Sequence, residues 1–199
     1  MEGLVAAVIL LWVLVIGLTI AVFALMRQVG VLFERVAPMG ALVTDAGPKI
    51  GEMTRAFELM SLTGGDPVSV GVANGRSQLL FFLSPTCPVC KKLLPVLRST
   101  KNAEKGWLDV VLASDGDAPA HQRFIAEKQL EDFPYVLSTD LGMTFKVSRL
   151  PYAVLIDGQG VIRAKGLVNS REQLDSLFNA KDLGVASIQK YLGEAHSHA

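Results

Sequence analysis

Residues 79–95 of this 199-residue chain read LLFFLSPTCPVCKKLLP, and this stretch decides the fold. Residues 79–83 form a continuous apolar run, which is typical of a strand buried on both faces of a sheet. The residues after Cys90 place Leu93, Leu94 and Leu97 at helical spacing, so the order strand, turn, helix is predicted. The C-P-V-C motif therefore lies where a buried strand ends and a helix begins.

The motif contains the only two cysteines of the chain, Cys87 and Cys90. The free N–H groups and the dipole at a helix N-terminus favour a thiolate, so we expect Cys87 to be the nucleophile in thiol–disulfide exchange. Cys90, one turn later, would resolve the mixed disulfide. Half of a zinc site is the alternative, but a tetrahedral site needs four ligands. The only further candidates are three histidines, His121, His196 and His198. The sequence therefore predicts a redox-active pair without metal or cofactor, and an inert histidine tail.

Strands and helices alternate along the rest of the predicted domain. Gly64-Gly65-Asp66 forms the turn of a predicted hairpin. Strands are predicted at 56–59, 67–70, 79–83, 109–113, 135–137, 153–157 and 161–164, and helices at 91–102, 121–131 and 170–181. This alternation implies an α/β fold with a mixed central sheet and helices on both faces.

The N-terminal segment is apolar. Residues 3–26 carry no charged side chain, and 24 helical residues are enough to cross a hydrocarbon core of about 30 Å. A cleaved signal peptide is the alternative, but it predicts a basic start, a shorter core and a small-residue exit. We therefore predict a transmembrane anchor at 3–26, a connector at 27–49, a globular domain at 50–193 and a flexible tail at 194–199.

Charge and composition exclude other classes of protein. The chain has 19 basic and 19 acidic side chains and a hydrophobic fraction of 50%. Nucleic-acid binding requires a basic surface, and whole-chain disorder requires low hydrophobicity and high net charge, so neither is predicted. Arg27 and Arg35 follow the apolar segment, which weakly favours a cytoplasmic domain by the positive-inside rule.

The motif resembles the active-site segment of thioredoxin-fold proteins. Leu150-Pro151-Tyr152, directly before a predicted strand, is similar to the cis-proline loop of that family. The N-terminal anchor and the segments WLDVVLASDG, EDFPYVLST, LPYAVLID and RAKGLVNSREQL are similar to the membrane-anchored thioredoxin-like accessory proteins of methylamine utilisation. The resemblance implies a thioredoxin fold with an N-terminal transmembrane helix. It also implies catalytic roles for Cys87, Cys90 and Pro151, with a cis Leu150–Pro151 bond shaping the substrate groove.

The resemblance further implies a function. The chain would be a membrane-tethered thiol–disulfide oxidoreductase, a reductase or isomerase, that assists maturation and disulfide formation of the methylamine dehydrogenase small (beta) subunit. The implied partners are that disulfide-rich periplasmic subunit, an unknown electron donor and the lipid membrane. A disulfide client requires an oxidising compartment, and long domains translocate largely regardless of flanking charge. We therefore expect a single-pass protein of the bacterial inner membrane with its thioredoxin-like domain in the periplasm.

Two departures from the thioredoxin pattern affect the chemistry. Phe81 stands where thioredoxin has a buried acid, six residues before the first cysteine, so the group that accepts the proton of Cys90 is not identified. The residues between the cysteines are Pro88 and Val89, and without an imidazole there the reduction potential should lie toward the reducing end.

Two other functions remain open at this stage. A peroxiredoxin would need a P-x-x-x-T-x-x-C arrangement, which Ser84-Pro85-Thr86-Cys87 does not supply. A redox-silent chaperone could use the same groove to hold an immature subunit. Turnover of a mixed disulfide would distinguish the chaperone from the reductase.

Overall fold

A computed structural model describes residues 2–35 and 47–183 of the chain. Two compact units are present, residues 1–39 and 40–199. Residues 36–46 of the predicted connector lie outside the described residues, as do the predicted tail at 194–199 and the last part of the predicted domain. The domain boundaries proposed from the sequence therefore stay predictions.

The first unit contains one long helix, α1 (Glu2–Arg35). Its apolar part, Glu2–Phe23, has 22 residues and a mean hydropathy of 3.0, and at 1.5 Å per residue it spans about 33 Å. By length and composition this helix can cross a membrane. The helix continues past Arg27 to Arg35, into the predicted connector.

The second unit contains seven strands and four helices within residues 47–183. The strands are β1 (Phe57–Leu59), β2 (Val68–Val70), β3 (Ser77–Phe82), β4 (Leu108–Ser114), β5 (Tyr135–Leu137), β6 (Tyr152–Ile156) and β7 (Ile162–Leu167). The helices are α2 (Pro88–Ala103), α3 (Ala118–Lys128), α4 (Thr139–Thr144) and α5 (Arg171–Leu183).

Five of the strands form a mixed sheet in the order β5-β4-β3-β6-β7. The central strand β3 runs parallel to β4 and antiparallel to β6. Since β4 and β5 are also parallel, the ends of β3, β4 and β5 meet the start of β6 at one edge of the sheet. The turn that leads to the cysteines and the segment that contains Pro151 both lie at this edge.

The two faces of the sheet are both buried, as the apolar run of β3 predicted. Alternate residues of a strand point to opposite faces, and every residue of β3 is buried. On one face, Leu79 and Phe81 pack in a core with residues of α2, α3 and α5. On the other face, Leu80 and Phe82 pack with the β1–β2 hairpin and with residues at α4. The predicted α/β fold with helices on both faces is confirmed.

The segment that contains the β1–β2 hairpin connects the two outer strands of the sheet, β7 and β5. Beside β7, the backbone N–H of Gly51 donates to the carbonyl oxygen of Ile162 over 2.8 Å, and Met53 forms a bridge with Val161. Beside β5, Ser61 forms a bridge with Val136. The segment thus crosses one face of the sheet and makes hydrogen bonds with the outer strands, whose backbone groups would otherwise be unpaired.

Two parts of the predicted secondary structure were wrong. The helix predicted at 121–131 occupies Ala118–Lys128, because Pro119 suits a first helical turn and Gln129 ends the helix with a left-handed φ of 55°. Gln129 is therefore the C-cap residue and lies outside the helix. The short helix α4 was not predicted. Its N-cap is Ser138, whose Oγ accepts from the backbone N–H of Leu141 over 3.1 Å.

Candidate active site

Cys87 is the N-cap residue of α2, with extended backbone angles of φ −80° and ψ 112°. Its sulfur accepts a hydrogen bond from the backbone N–H of Cys90 over 3.1 Å. Pro88 occupies the first helical turn, where the absence of an N–H costs no hydrogen bond. The local sequence therefore points a backbone donor and the positive end of the helix dipole at one sulfur atom.

A disulfide joins Cys87 and Cys90, whose Cα atoms lie 5.3 Å apart. Cys87 is partly exposed, whereas Cys90 has a relative exposure of 0%. Cys87 is therefore the more accessible residue of the pair. An attacking thiol of another protein can reach Cys87 and would meet the core before it reached Cys90.

The turn between β3 and the cysteines is held by hydrogen bonds. Leu83 donates from its N–H to Ala113 over 3.0 Å, and its carbonyl accepts from Ser114 Oγ over 2.7 Å. Farther along, the hydroxyls of Ser84 and Thr86 lie 2.9 Å apart, and Cys87 donates from its N–H to the carbonyl of Ser84 over 3.1 Å. These hydrogen bonds fix the backbone conformation of the turn that leads to Cys87.

Pro151 lies at the same edge of the sheet as the cysteine turn. Tyr152, the next residue, pairs with Phe82 at the end of β3. The Leu150–Pro151 peptide bond is cis, as the resemblance implied. Pro151 is buried, and its carbonyl accepts a hydrogen bond from the N–H of Val168 over 3.1 Å. Leu150, the residue before Pro151, has a relative exposure of 37%.

A cavity of about 540 Å³ opens at this edge. Its apolar wall includes Leu83, Met143 and Leu150, and Asp115 and Lys146 add one charge of each sign. The lining residues, which sequence analysis did not identify, are Phe82, Leu83, Ala113, Ser114, Asp115, Ser138, Thr139, Gly142, Met143, Lys146, Val147, Ser148 and Leu150. The only sequence signal for this surface was Ser138-Thr139-Asp140, which is typical of a helix start.

The position of the thioredoxin acid is occupied by Phe81, whose exposure is 0%. Phe81 belongs to the same core as Cys90, so the surroundings of Cys90 on this side are apolar. Sequence analysis missed one buried polar pair, His121 and Tyr135. Nδ1 of His121 lies 2.7 Å from Tyr135 Oη, and its Nε2 lies 2.9 Å from the carbonyl oxygen of Asp115.

The tyrosine of this pair has a structural role and does not act as an ionising group. Burial raises the pKa of Tyr135 above its usual value, and a hydrogen bond with Ser114 offsets a smaller part of that rise. Tyr135 lies on β5, separated from the cysteine strand β3 by β4. The pair therefore ties the start of α3 to the sheet at a distance from the disulfide.

Lys91 and Lys92, which follow Cys90 directly in α2, are both exposed. Among residues 2–35 and 47–183, no three histidine, cysteine or carboxylate side chains are grouped so that they could hold a metal ion. His196 and His198 lie outside the described residues.

These features define a class of protein: a mixed α/β domain that carries a Cys-x-x-Cys disulfide at a helix N-terminus beside a cis-proline segment. The family model described as Redoxin matches residues 45–181. Two solved structures share the fold. The thioredoxin domain of a thiol-disulfide oxidoreductase from Bacteroides vulgatus aligns with a TM-score of 0.58 at 22% identity, covering 67% of this chain and 98% of that one. A protein described as a thiol:disulfide interchange protein DsbE, from Chlorobium tepidum, aligns with a TM-score of 0.60 at 19% identity, covering 67% and 97%.

Relatives of higher identity span the whole chain. The methylamine utilization protein MauD of Paracoccus versutus is 47% identical over 199 residues, which is 100% of both chains. MauD of Paracoccus denitrificans is 48% identical over 198 residues, 98% of both chains. MauD of Methylorubrum extorquens is 47% identical over 201 residues, covering 100% of this chain and 97% of that one. The chain belongs to the MauD family of thioredoxin-like Redoxin proteins, which confirms the resemblance found in the sequence.

Proposed function

We propose that this protein is a membrane-tethered thiol–disulfide oxidoreductase that reduces or rearranges disulfides of the methylamine dehydrogenase small subunit during its maturation. The observation that carries the proposal is the Cys87–Cys90 disulfide at the N-terminus of α2, with one cysteine partly exposed and the other buried. An asymmetric pair of this kind can accept and release a client protein in two steps.

In the first step the thiolate of reduced Cys87 attacks one sulfur of a client disulfide. A Cys87–client disulfide forms, the client S–S bond breaks, and one client sulfur leaves as a thiolate. In the second step the thiolate of Cys90 attacks the Cys87 sulfur, the second client sulfur leaves, and the Cys87–Cys90 disulfide forms. Two electrons pass from the cysteine pair to the client.

The sequence of steps differs for rearrangement. If another client thiolate attacks the mixed disulfide before Cys90 does, the client gains a different disulfide and Cys87 is regenerated without net electron transfer. Net reduction leaves the pair oxidised, and an electron donor of the dithiol class must reduce it again. The same site thus serves as reductase or isomerase, depending on which thiolate arrives first.

Pro151 has a positioning role in this proposal. Its segment begins β6 beside the end of β3, at the edge of the sheet from which the cysteine turn leaves. The cavity at that edge has Leu150 in its wall. A client segment lying along Leu150 and Pro151 would place an apolar side chain in the cavity and its cysteine toward Cys87.

The proposed client and location rest on the MauD relatives and on α1. The relatives are named methylamine utilization proteins, and the small subunit of methylamine dehydrogenase is the disulfide-rich client that the family resemblance implies. The apolar part of α1 would anchor the chain in the bacterial inner membrane. The domain that carries the cysteines would then lie in the periplasm, where client disulfides persist.

A trapping experiment tests the proposal. In a Cys90→Ser variant the second step cannot occur, so the mixed disulfide with the client should accumulate. We expect the small subunit to be recovered in a covalent complex that a reductant releases. Cys87→Ser is the matched control and should trap no client. Absence of a complex with Cys90→Ser, in cells that mature the dehydrogenase, would contradict the proposal.

The same cells distinguish the proposed oxidoreductase from a redox-silent chaperone. A Cys87→Ser/Cys90→Ser variant cannot exchange disulfides, so we expect it to yield no active dehydrogenase. Maturation at the wild-type level by this variant would favour a redox-silent holding function instead.

A further inference from the structure

A groove on the side of α2 begins one residue after the cysteine motif. It has a volume of about 390 Å³, and part of its wall comes from the end of α3. The lining residues are Lys91, Leu94, Pro95, Arg98, Ser99 and Lys128. Three of these six side chains are cationic, and the proposed exchange reaction does not use any of them.

The groove is close to the redox site and has a definite length. Lys91 follows Cys90 directly, and Ser99 lies eight residues farther along α2. At 1.5 Å per residue the groove extends about 12 Å. At about 3.3 Å per residue this length accommodates about four residues of an extended peptide. A protein that has its cysteine at Cys87 could therefore also reach the groove.

At the end of the groove away from Cys90, polar contacts position two of the three cationic side chains. Nη2 of Arg98 donates to the carbonyl oxygen of Gln129 over 2.6 Å, which fixes the guanidinium beside the end of α3. Nζ of Lys128 lies 2.8 Å from Oε1 of Glu127. Lys128, and to a smaller degree Lys91, lower the pKa of Glu127. Glu127 offsets one of the three positive charges, so the groove keeps an excess of positive charge.

The backbone of the groove offers an acceptor as well. Pro95 lies inside α2, and a proline has no N–H for the carbonyl four residues earlier. The carbonyl of Lys91 therefore receives no hydrogen bond of the regular helical kind. A peptide N–H that enters the groove could bond to this oxygen while carboxylates of the same peptide meet the cationic side chains.

We propose that this groove binds an acidic, extended segment of the client protein, about four residues long, while the client cysteine reacts at Cys87. The inference rests on the proposed function, because it assigns a recognition site to the same exchange reaction. Charge complementarity determines the partner: three cationic side chains, one of them positioned by α3, favour carboxylates and disfavour lysine or arginine.

The test uses the full-length protein in detergent and three synthetic peptides. Each peptide contains the same disulfide, and the residues beside it are acidic, neutral amide or basic. The measured quantity is the ratio of kcat/KM for the acidic peptide to that for the neutral peptide. This ratio cancels any change in the reactivity of Cys87 itself. We expect a ratio of about five or more at low salt for the wild type, falling toward one in about 0.5 M salt.

Charge-reversal variants test whether the preference for the acidic peptide depends on this groove. In Lys91→Glu/Lys128→Glu we expect the ratio to fall below one, while the neutral peptide is still reduced. Arg98 is left unchanged because it holds the end of α3. Lys105→Glu is the matched control, since this exposed lysine lies beyond the other end of α2, and its ratio should stay at the wild-type value. Equal rates with acidic and neutral peptides in the wild type would overturn the inference, as would an equal loss of preference in Lys105→Glu. Failure to reduce any of the peptides would instead contradict the proposed function.

Discussion

The backbone N–H of Cys90 donates a hydrogen bond to Sγ of Cys87 over 3.1 Å. The two residues thus differ in role although they share a disulfide. Cys87 lies in the cap position and receives the donor, whereas Cys90 lies inside the helix and supplies it. A negative charge on Cys87 would strengthen this bond, because hydrogen bonds to ionised acceptors are stronger than neutral ones.

This relationship predicts the order of alkylation. After reduction, iodoacetamide near neutral pH should modify Cys87 first, because Cys87 is partly exposed and Cys90 is fully buried. Peptide mass spectrometry after partial labelling measures the order. In Cys87→Ser, labelling of Cys90 should become fast only in denaturant. Faster labelling of Cys90 in the native wild type would contradict the assignment of the nucleophile.

The hydroxyl of Tyr135 should contribute to stability. Tyr135→Phe removes the partner of His121 Nδ1, which lies 2.7 Å away in the native protein. Leaving a buried polar atom without its partner costs about 1–3 kcal/mol, and we expect a loss of that size in the free energy of unfolding, measured by urea titration. A double-mutant cycle with His121→Leu provides the control. If the two losses simply add, the side chains do not interact as described.

Alanine substitutions at two glycines with the same φ angle distinguish backbone strain from steric overlap. Gly64 and Gly160 both have φ of +82°. A Cβ at Gly64 would meet nothing within 4 Å, whereas a Cβ at Gly160 would lie 2.6 Å from the carbonyl oxygen of Gly71. Gly64→Ala should therefore cost only the left-handed penalty of about 1–2 kcal/mol. Gly160→Ala should cost clearly more in the same unfolding measurement, and equal losses would show that Gly71 moves away.

The carboxylate of Asp157 should make the stability of the domain dependent on acid pH. Burial alone would raise the pKa of Asp157. Hydrogen bonds from the N–H groups of Val161 and Gln159, and the guanidinium of Arg163, outweigh this effect and lower it. A lowered pKa contributes stability above the unfolded-state value of about 3.9, and this contribution is lost as pH falls through the folded-state value.

The substitution Asp157→Asn tests this contribution. It should reduce the free energy of unfolding at pH 7 and flatten its decline in the acid range. Asp66→Asn is the control, since Asp66 is exposed on the hairpin turn, and it should leave the acid profile nearly unchanged. A decline in Asp157→Asn as steep as that of the wild type would contradict the role of this carboxylate.

Local patterns in the sequence predicted the parts of the fold that depend on neighbouring residues. The apolar run of β3, the cap at Cys87 and the hairpin turn at Gly64 and Gly65 each depend on a few consecutive residues. The short helix α4 was missed because only Leu141 among its six residues is buried, so it presents no apolar periodicity.

Features formed by distant residues could not be derived in the same way. The bridge between Ser61 and Val136 and the contact of His121 with Tyr135 join residues whose proximity depends on the completed sheet. The cavity beside Leu150 is lined by the ends of β3 and β4, by α4 and by the loops that follow them, so no single stretch of sequence encodes it. The cysteines and Pro151 were predicted because each belongs to a local motif.

The orientation of α1 in the membrane is the prediction on which the proposed client depends. Arg27 and Arg35 weakly favour a cytoplasmic domain, but long domains translocate largely regardless of such charges. We therefore expect residue 199 to lie in the periplasm and Met1 in the cytoplasm. An alkaline phosphatase fused after Ala199 is active only when exported, and this fusion should be active. A fluorescent reporter that folds only in the cytoplasm, fused at the same site, is the control and should stay dark. A silent phosphatase together with a bright cytoplasmic reporter would show that both the orientation and the periplasmic client are wrong.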